Sequence, residues 1–259
     1  MTPVKARKNI DLYCLDVDGT LMHGIGGEPI AGAVDVVRQL RKRAKVRFVT
    51  NAGIVPRADI AHSLRQAGFL DHDSELYTPA TVARRALAER GHDHGTLLVS
   101  DEARCDWSWF RDDPSGGAIV LATEGWHLSL EDLQPLFRAL LEGAPFYVLN
   151  RNRYFRVEHE LKTDLGPLAE FLGYASRREP EVLGKPSRLL FETIASEVGV
   201  ALGNIAMIGD DAEFDASGAV RLGLQGMLVK TGKYRVGDES RVDPRPVAVL
   251  EQLAQMLDG

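Results

Sequence analysis

Leu12-Tyr13-Cys14-Leu15-Asp16-Val17-Asp18-Gly19-Thr20-Leu21 is an apolar run that ends in two acids, one residue apart, and then a Gly-Thr turn. The run reads as a strand of a parallel sheet, buried on both faces. Strand side chains alternate, so the pattern predicts Asp16 and Asp18 on one face and Val17 on the other. Two carboxylates then meet at the carboxyl end of a strand, where open α/β sheets bind ligands. Gly19 lets the chain turn sharply past them. The competing reading is an acidic Asp-Gly hairpin. A hairpin needs a second strand two residues on, but a loop, Met22 to Pro29, and a helix pattern follow instead.

Outward from this stretch the chain alternates strands and helices. Val34, Val37 and Leu40 form a helical stripe closed by Arg41-Lys42-Arg43. Cations suit a helix C-terminus, so the basic run reads as a solvated helix end rather than a binding patch. Val46-Arg47-Phe48-Val49 is a second strand ending at Thr50-Asn51, and a helix carrying Ile60, Leu64 and Ala67 follows. This β-α-β-α order opens a parallel sheet.

From Tyr77-Thr78-Pro79 the pattern restarts. It predicts a helix over Val82–Arg90, a strand over Thr96–Val99 and an irregular stretch with Trp107 and Trp109. A strand over Ala118–Leu121 comes next, then a long helix with Leu130, Leu133, Leu136, Phe137, Leu140 and Leu141. A strand over Phe146–Leu149 and a helix near Pro167–Leu172 complete a block of about 100 residues, the size of a domain. From Val182 the first domain resumes. Leu183-Gly184-Lys185-Pro186 opens a helix, Ile205–Ile208 is a strand ending at Gly209-Asp210-Asp211, and Gly226–Val229 is a strand ending at Lys230-Thr231-Gly232. A helix over Val247–Leu257 ends the pattern. The expected organisation is an α/β core with a parallel central sheet, residues 1–75 and 183–259, interrupted by an inserted α/β domain, residues 76–182.

The 259 residues suffice for such a pair of domains, and the 44% apolar and 26% charged composition is that of a soluble globular chain. A net charge of −6 argues against nucleic-acid binding, which needs a basic face. No apolar run approaches the ~20 residues of a membrane span. Lys5, Arg7 and Lys8 are not followed by a signal-peptide core. With Cys14 and Cys105 as its cysteines, the chain carries no disulfide framework, which predicts a reducing, cytoplasmic setting. Cys14 reads as a small buried hydrophobe.

Four polar signals now sit at strand ends or just before a helix: Asp16/Asp18, Thr50/Asn51, Lys185, and Asp210/Asp211 with Asp215. A parallel sheet can bring them to one edge. Two unit charges ~4 Å apart repel by about 4 kcal/mol at an effective dielectric of 20. Several such pairs rival the whole stability of a domain, ~5–15 kcal/mol. A cation is therefore required, either Lys185 or a divalent metal. Oxygen donors without His or Cys favour Mg²⁺ over zinc or copper.

These segments resemble the motifs of the haloacid dehalogenase (HAD) superfamily. Asp16-Val17-Asp18-Gly19-Thr20 is similar to its first motif, Thr50-Asn51 to the second, Gly184-Lys185-Pro186 to the third, and Gly209-Asp210-Asp211 through Asp215 to the fourth. The long insertion after the second motif is where a C2-type cap belongs, so the resemblance is to the NagD-like branch. Within that branch, Met207–Asp211 and Val229-Lys230-Thr231-Gly232-Lys233-Tyr234-Arg235 resemble the phospholysine phosphohistidine inorganic pyrophosphate phosphatase type.

The resemblance implies a Rossmann-like three-layer core and a Mg²⁺-dependent phosphohydrolase acting on phosphoric monoesters of small metabolites. It makes Asp16 the nucleophile and Asp18 the general acid and then base. It gives Mg²⁺ to Asp16, the Asp18 carbonyl and Asp210. It gives phosphoryl binding to Thr50 and the Asn51 backbone, makes Lys185 a catalytic residue that pairs with the Asp16 carboxylate and the phosphate, and gives a supporting role to Asp211 and Asp215. A homodimer is common in the branch. Hydrolysis of P–N or pyrophosphate bonds, phosphoryl transfer to another acceptor, and a catalytically weak phospho-ligand binding module are the competing functions.

The remaining signals are weaker. Gly24-Ile25-Gly26-Gly27 lacks the third glycine of a dinucleotide fingerprint and reads as a mobile loop beside the first motif. His23 reads either as a substrate contact or as a solvent-facing residue. His92-Asp93-His94 reads as a surface turn, with no third metal ligand near it in sequence. Arg57 reads as a phosphate-approaching residue or a plain helix start. Arg151, Arg153 and Arg156 with Tyr154 and Phe155 are similar to the family's cap segment facing the phosphate pocket. Asn152 and Asp164 depart from the branch's pattern where substrates are chosen. Trp107 and Trp109 read as packing.

Overall fold

The structure, a computed structural model, describes residues 9–157 and 160–257. Lys5, Arg7 and Lys8 lie outside these residues, as does the side chain of Arg156. In chain order the strands are β1 (Leu12–Leu15), β2 (Lys45–Val49), β3 (Leu76–Tyr77), β4 (His94–Val99), β5 (Arg111–Asp112), β6 (Ala118–Ala122) and β7 (Phe146–Val148). They continue with β8 (Tyr154–Val157), β9 (Glu160–Thr163), β10 (Glu181–Val182), β11 (Ile205–Gly209), β12 (Gln225–Val229) and β13 (Ala248–Leu250). The helices are α1 (Ala33–Leu40), α2 (Arg57–Gln66), α3 (Pro79–Glu89), α4 (Gln134–Leu141), α5 (Leu165–Ser176), α6 (Arg188–Val198) and the short α7 (Gly218–Arg221).

The described chain divides into two compact units. The first holds the residues up to Thr50, then Ala58–Tyr77, and those from Leu190 onward; the second holds Asn51–Arg57 and Thr78–Leu189. The first unit carries a six-stranded parallel sheet in the order β13-β12-β11-β1-β2-β3. All four residues of β1 are buried, as its apolar run requires for a strand with neighbours on both sides. Leu15 pairs with Ile208 on one side and Phe48 on the other, so β1, β11 and β2 run out at the same level. Helix α1 buries Ala33, Val36, Val37 and Leu40, one stripe of an amphipathic helix, with Asp35 in its first turn and Arg38 in its last.

The second unit carries a parallel sheet in the order β10-β7-β6-β4-β5 and a separate antiparallel hairpin, β8-β9. Strand β6, Ala118–Ala122, is buried at every position. Helix α3 starts at a reciprocal cap. Thr78 Oγ1 accepts from the Thr81 N–H, and Thr81 Oγ1 accepts from the Thr78 N–H at 2.8 Å. Pro79 occupies the first turn, where its missing N–H costs nothing. Trp107 is buried and stacks on Trp109 at 5.6 Å, which makes the tryptophan stretch a packing element.

Three expected elements differ. The region Val247–Leu257 is not one helix. Ala248–Leu250 adds to the sheet edge beside β12, with Met227 opposite Ala248 and Val229 opposite Leu250, and a 3-10 turn over Leu253–Leu257 follows. Val247 and Val249 alternate with buried Leu250, and β-branched residues favour that pleated edge. The long middle helix is confined to Gln134–Leu141, while Leu130 and Leu141 stand 67% and 59% exposed. Ser129 and Asp132 bond each other's backbone and make a turn of the stretch before it. Helix α5 begins at Leu165, earlier than expected, because Asp164 serves as its N-cap.

The basic run Arg41-Lys42-Arg43 is more than a solvated helix end. The Arg41 guanidinium makes a forked pair with buried Glu75 at 2.5 and 2.9 Å and donates to the Phe69 carbonyl. Burial pushes the Glu75 carboxyl up, but the Arg41 bond and the Asp71 and His72 N–H groups outweigh it and hold the carboxyl below its usual range.

Tyr77, at the end of β3, donates its hydroxyl to Glu197 on α6. Burial and the Glu197 carboxylate push its phenol up to about 12. A folded value above the unfolded one, near 10, stabilises the fold fully below pH ~10, and that stability is lost as pH rises through ~12. Two units correspond to about 2–3 kcal/mol. In an ultraviolet titration, Tyr77→Phe is expected to remove the last-titrating phenol and to flatten the loss of stability between pH ~10 and ~12. An unchanged titration curve would refute this.

Candidate active site

The equal run-out of β1, β11 and β2 brings their following residues to one edge of the first unit's sheet. The Asp16 N–H donates to the Ile208 carbonyl at 2.9 Å, which seats Asp16 beside the end of β11. Gly209 and Asp210 follow Ile208, and Thr50, buried, follows Val49. Asp215 comes back to the same edge because Ala212–Ser217 turns as a wide helical segment capped by Asp211. The Asp211 carboxylate accepts from the Glu213 and Phe214 N–H groups at 2.8 and 2.9 Å.

Each of Asp16, Asp210 and Asp215 offers a carboxylate oxygen within 4.8 Å of the others, and all are buried. Two ionised groups at that spacing repel by about 3–4 kcal/mol at an effective dielectric of 20, so three cannot all be charged without a cation. Burial first, and then the Asp16 charge, pushes the Asp210 carboxyl well above the usual carboxylate range, against the opposing pull of Lys233. Asp16 Oδ2 also accepts from the Thr20 hydroxyl at 3.1 Å. Buried hard oxygens of this kind fit a divalent cation such as Mg²⁺ or Ca²⁺ and not a soft metal.

Asp18 differs from the expectation. Strand β1 ends at Leu15, so alternation does not carry through Asp18, and Asp18 is exposed in the turn that follows. Its side chain is not one of the three clustered carboxylates. The turn is fixed by Gly19 N–H to Met22 O at 2.8 Å and by the Leu21 and Met22 N–H groups to Val17 O. Gly19 adopts φ +77°, and a Cβ there would meet Asp210 Oδ2 at 2.2 Å, so no other residue fits beside the acid.

Lys233 is the feature of this edge to which the sequence assigned no role. Its backbone N–H donates to Asp210 Oδ2 and its ammonium pairs with Asp211, each at 2.7 Å. Burial opposes the lysine's charge, but the three acids Asp211, Asp210 and Asp215 overcome that and push its pKa up. Burial likewise raises the Asp211 carboxyl, and Lys233 with the two capping N–H groups lowers it overall. The signal in the sequence is the Gly232-Lys233 pair following a strand end.

Asn51 and Lys185 belong to the second unit, where they are directly joined. Asn51 Oδ1 accepts from the Lys185 N–H at 2.7 Å, and Asn51 Nδ2 donates to the Lys185 carbonyl at 3.0 Å. One amide thus holds both sides of the lysine residue, whose side chain is buried. The Asn51 carbonyl in turn accepts from Asn150.

The weaker signals resolve unevenly. His23 is exposed on its loop. His92 Nδ1 bonds Tyr147 Oη at 2.7 Å and His94 Nδ1 faces Asp93, so these histidines are packing and surface groups. The Arg57 N–H is capped by Asp106 at 2.8 Å, a helix-start position. Arg151 is paired with Glu170 and, at 3.2 Å, with Glu179. Asn152 donates its N–H to Asn150 Oδ1 at 2.9 Å. Tyr154 and Phe155 lie in the β8-β9 hairpin, with Phe155 stacked on Trp126 at 5.6 Å.

A sequence model of the haloacid dehalogenase-like hydrolase family matches residues 13–106, and a model described as HAD-hydrolase-like matches residues 182–256. The chain is 36% identical over 250 residues to phospholysine phosphohistidine inorganic pyrophosphate phosphatase of Bos taurus, covering 94% of this chain and 92% of that one. Among solved structures, 4-nitrophenylphosphatase of Thermotoga maritima superposes with a TM-score of 0.85 at 22% identity over 96% of this chain and 97% of that one. NagD of E. coli K-12 does so with a TM-score of 0.80 at 19% identity over 96% and 98%. Among the described residues no helix is long and apolar enough to cross a membrane.

Proposed function

The chain belongs to the haloacid dehalogenase-like hydrolases, as a phosphatase of their NagD-like branch, and from that premise we propose a Mg²⁺-dependent phosphohydrolase that works through an aspartyl-phosphate on small phosphorylated metabolites. The observation that carries the reading is the buried Asp16–Asp210–Asp215 cluster. A structural acidic cluster would be solvated. This one is buried, and it gathers at the strand ends where the family's motifs fall.

In this reading an Asp16 oxygen attacks phosphorus, and the bond from phosphorus to the leaving oxygen breaks. Asp18 gives that oxygen a proton. Water then attacks the aspartyl-phosphate as Asp18 takes its proton, the bond between Asp16 and phosphorus breaks, and phosphate leaves. The proton that Asp18 gives to the leaving oxygen is replaced by the one it takes from water, so each turnover ends with Asp18 protonated again. Asp16, Asp210 and the Asp18 carbonyl would hold Mg²⁺, with Asp215 and Asp211 in support. When bound, the ion offsets the repulsion between anionic nucleophile and phosphoryl group. Thr50, Asn51 and Lys185 are assigned to the phosphoryl oxygens. The two hydrogen bonds between the Asn51 side chain and the Lys185 backbone support this assignment, since they fix the backbone from which the lysine side chain extends. The inserted residues 76–182 are assigned as the substrate-selecting cap.

A second reading is favoured by the 36% identity to a phosphatase named for phospholysine, phosphohistidine and pyrophosphate: hydrolysis of P–N or P–O–P bonds at the same site. A Mg²⁺-dependent phosphate-release screen separates the two. It would compare sugar phosphates, phosphoglycolate, pyridoxal phosphate and nucleotides with pyrophosphate, phospholysine and phosphohistidine. A phosphomonoester is expected to give the highest kcat/KM. A winner from the last three would favour the second reading, and no release from any of them, 4-nitrophenyl phosphate included, would sink both.

A further inference from the structure

We propose that Thr231-Gly232-Lys233 is a positioning strap for the acidic site, in which Thr231 sets the turn that carries Asp18 and Lys233 holds the carboxylates of Asp210 and Asp211. The three residues follow β12 and touch three separate parts of the site. The Thr231 hydroxyl donates to the Gly19 carbonyl at 2.6 Å. The Lys233 N–H takes Asp210 Oδ2, and its ammonium takes Asp211. Between them Gly232, at φ +56°, passes so close that a Cβ would stand 2.0 Å from Asp210 Oδ2 and 2.6 Å from Gly19 Cα. The strap is therefore seated with its backbone against a carboxylate and a turn, leaving no room for another side chain.

Both of its ends are tied down. Upstream, the Lys230 N–H donates to Leu250 O, and the Lys230 ammonium pairs with Glu251 at 2.7 Å. Downstream, Tyr234 packs on Ala212, Ala216 and Leu228 and donates its hydroxyl to Glu239 at 2.9 Å. A segment anchored in this way transmits position rather than flexing.

The two arms act on different groups. The bonds from Gly19 to Met22 and from Leu21 and Met22 to Val17 set the shape of the Asp18 turn. The Thr231 bond sets where that turn lies relative to Asp210. Lys233 is instead a fixed cation beside three acids. A divalent ion would be a second cation at the same place, so the ammonium stabilises the metal-free site while weakening metal binding. An ion pair with a structural role alone would change the stability of metal-free and metal-loaded protein equally.

The inference rests on the phosphatase reading for its activity arm only. With Mg²⁺ and 4-nitrophenyl phosphate, Thr231→Val is expected to lower kcat roughly 10- to 100-fold, the cost of a misplaced acid-base group. At saturating Mg²⁺ its KM should stay within about twofold, and Thr231→Ser should restore most of the loss. Lys233→Met should tighten the Mg²⁺ Kd about 3- to 10-fold in calorimetric titration of EDTA-stripped protein. It should also lower the metal-free Tm and enlarge the Tm rise that Mg²⁺ produces. If the methionine variant does not fold, Lys233→Gln carries the same prediction. A Thr231→Val enzyme with wild-type kcat overturns the first arm, and an unchanged or weakened Mg²⁺ Kd in the lysine variant overturns the second. If the wild-type protein releases no phosphate, the phosphatase reading fails, and the Mg²⁺ titrations still decide on the strap.

Discussion

Asp16→Asn is expected to lose turnover by about four orders of magnitude or more while making the metal-free protein more stable. The two effects have one cause. Asp16 is buried with a carboxylate oxygen within 4.8 Å of oxygens of Asp210 and Asp215. In the absence of metal its charge contributes to holding the Asp210 carboxyl far above its usual range, second only to burial. Asparagine keeps the shape and the bond to Thr20 but removes the charge. The relief is about 1–3 kcal/mol, less than the full pair repulsion because the nearby Lys233 charge already offsets part of it. At roughly 2–4 °C per kcal/mol for a chain of this size, Tm in EDTA should rise by about 3–8 °C. Saturating Mg²⁺ should erase or reverse that gain, since the variant has lost a metal ligand. Scanning calorimetry with and without Mg²⁺, alongside phosphate release, checks both halves. A variant that kept full turnover would move the nucleophile elsewhere. One that lost turnover and stability together would mean that Asp16 is a structural residue.

How far the sequence reached can be judged residue by residue. The strands β1, β2, β11 and β12 were legible because each is a short apolar run that stops at a polar residue, and a parallel sheet buries such runs on both faces. Their shared edge follows from registers that put Leu15 level with Ile208 and Phe48. The site members Asp16, Asp210 and Asp215 were therefore visible before the fold was.

Three features were not legible. The alternation that places Asp18 beside Asp16 assumes that the strand continues, whereas the strand ends at Leu15, Asp16 makes one last bond to Ile208, and the chain turns. Lys233 acts through a loop that folds back across Gly19, a contact between residues more than 200 apart in sequence that no local pattern encodes. Asn51 is expected at the phosphoryl group, and nothing local in the sequence indicates that its side chain grips the backbone of Lys185, 134 residues away. The same limit explains Arg41. A cation at a helix end looks solvated until Glu75, 34 residues later, meets it. Periodicity reports which face of an element is buried, and says little about which polar partner waits across a turn.

Asp18→Asn is expected to separate the two chemical steps, and the choice of substrate decides what is seen. Asp18 is exposed in its turn, while the Gly19–Met22 and Thr231–Gly19 bonds hold its backbone in place. An asparagine there cannot protonate a leaving group or deprotonate water. A 4-nitrophenolate leaving group departs without a proton, so attack by Asp16 proceeds and the aspartyl-phosphate forms. Its hydrolysis still needs a base and slows by about 10²- to 10⁴-fold. Rapid mixing should then give a burst of 4-nitrophenolate of about one equivalent per site, followed by slow steady release. An alkyl phosphate, whose alkoxide needs the proton, should show no burst and a rate depressed at the first step itself. The acid-quenched variant should carry phosphate on Asp16 after the aryl substrate and little after the alkyl one. Equal losses with both substrates and no burst would remove the acid-base role from Asp18. Its effect would then lie in the backbone of the turn, where the Thr231→Val variant acts as well.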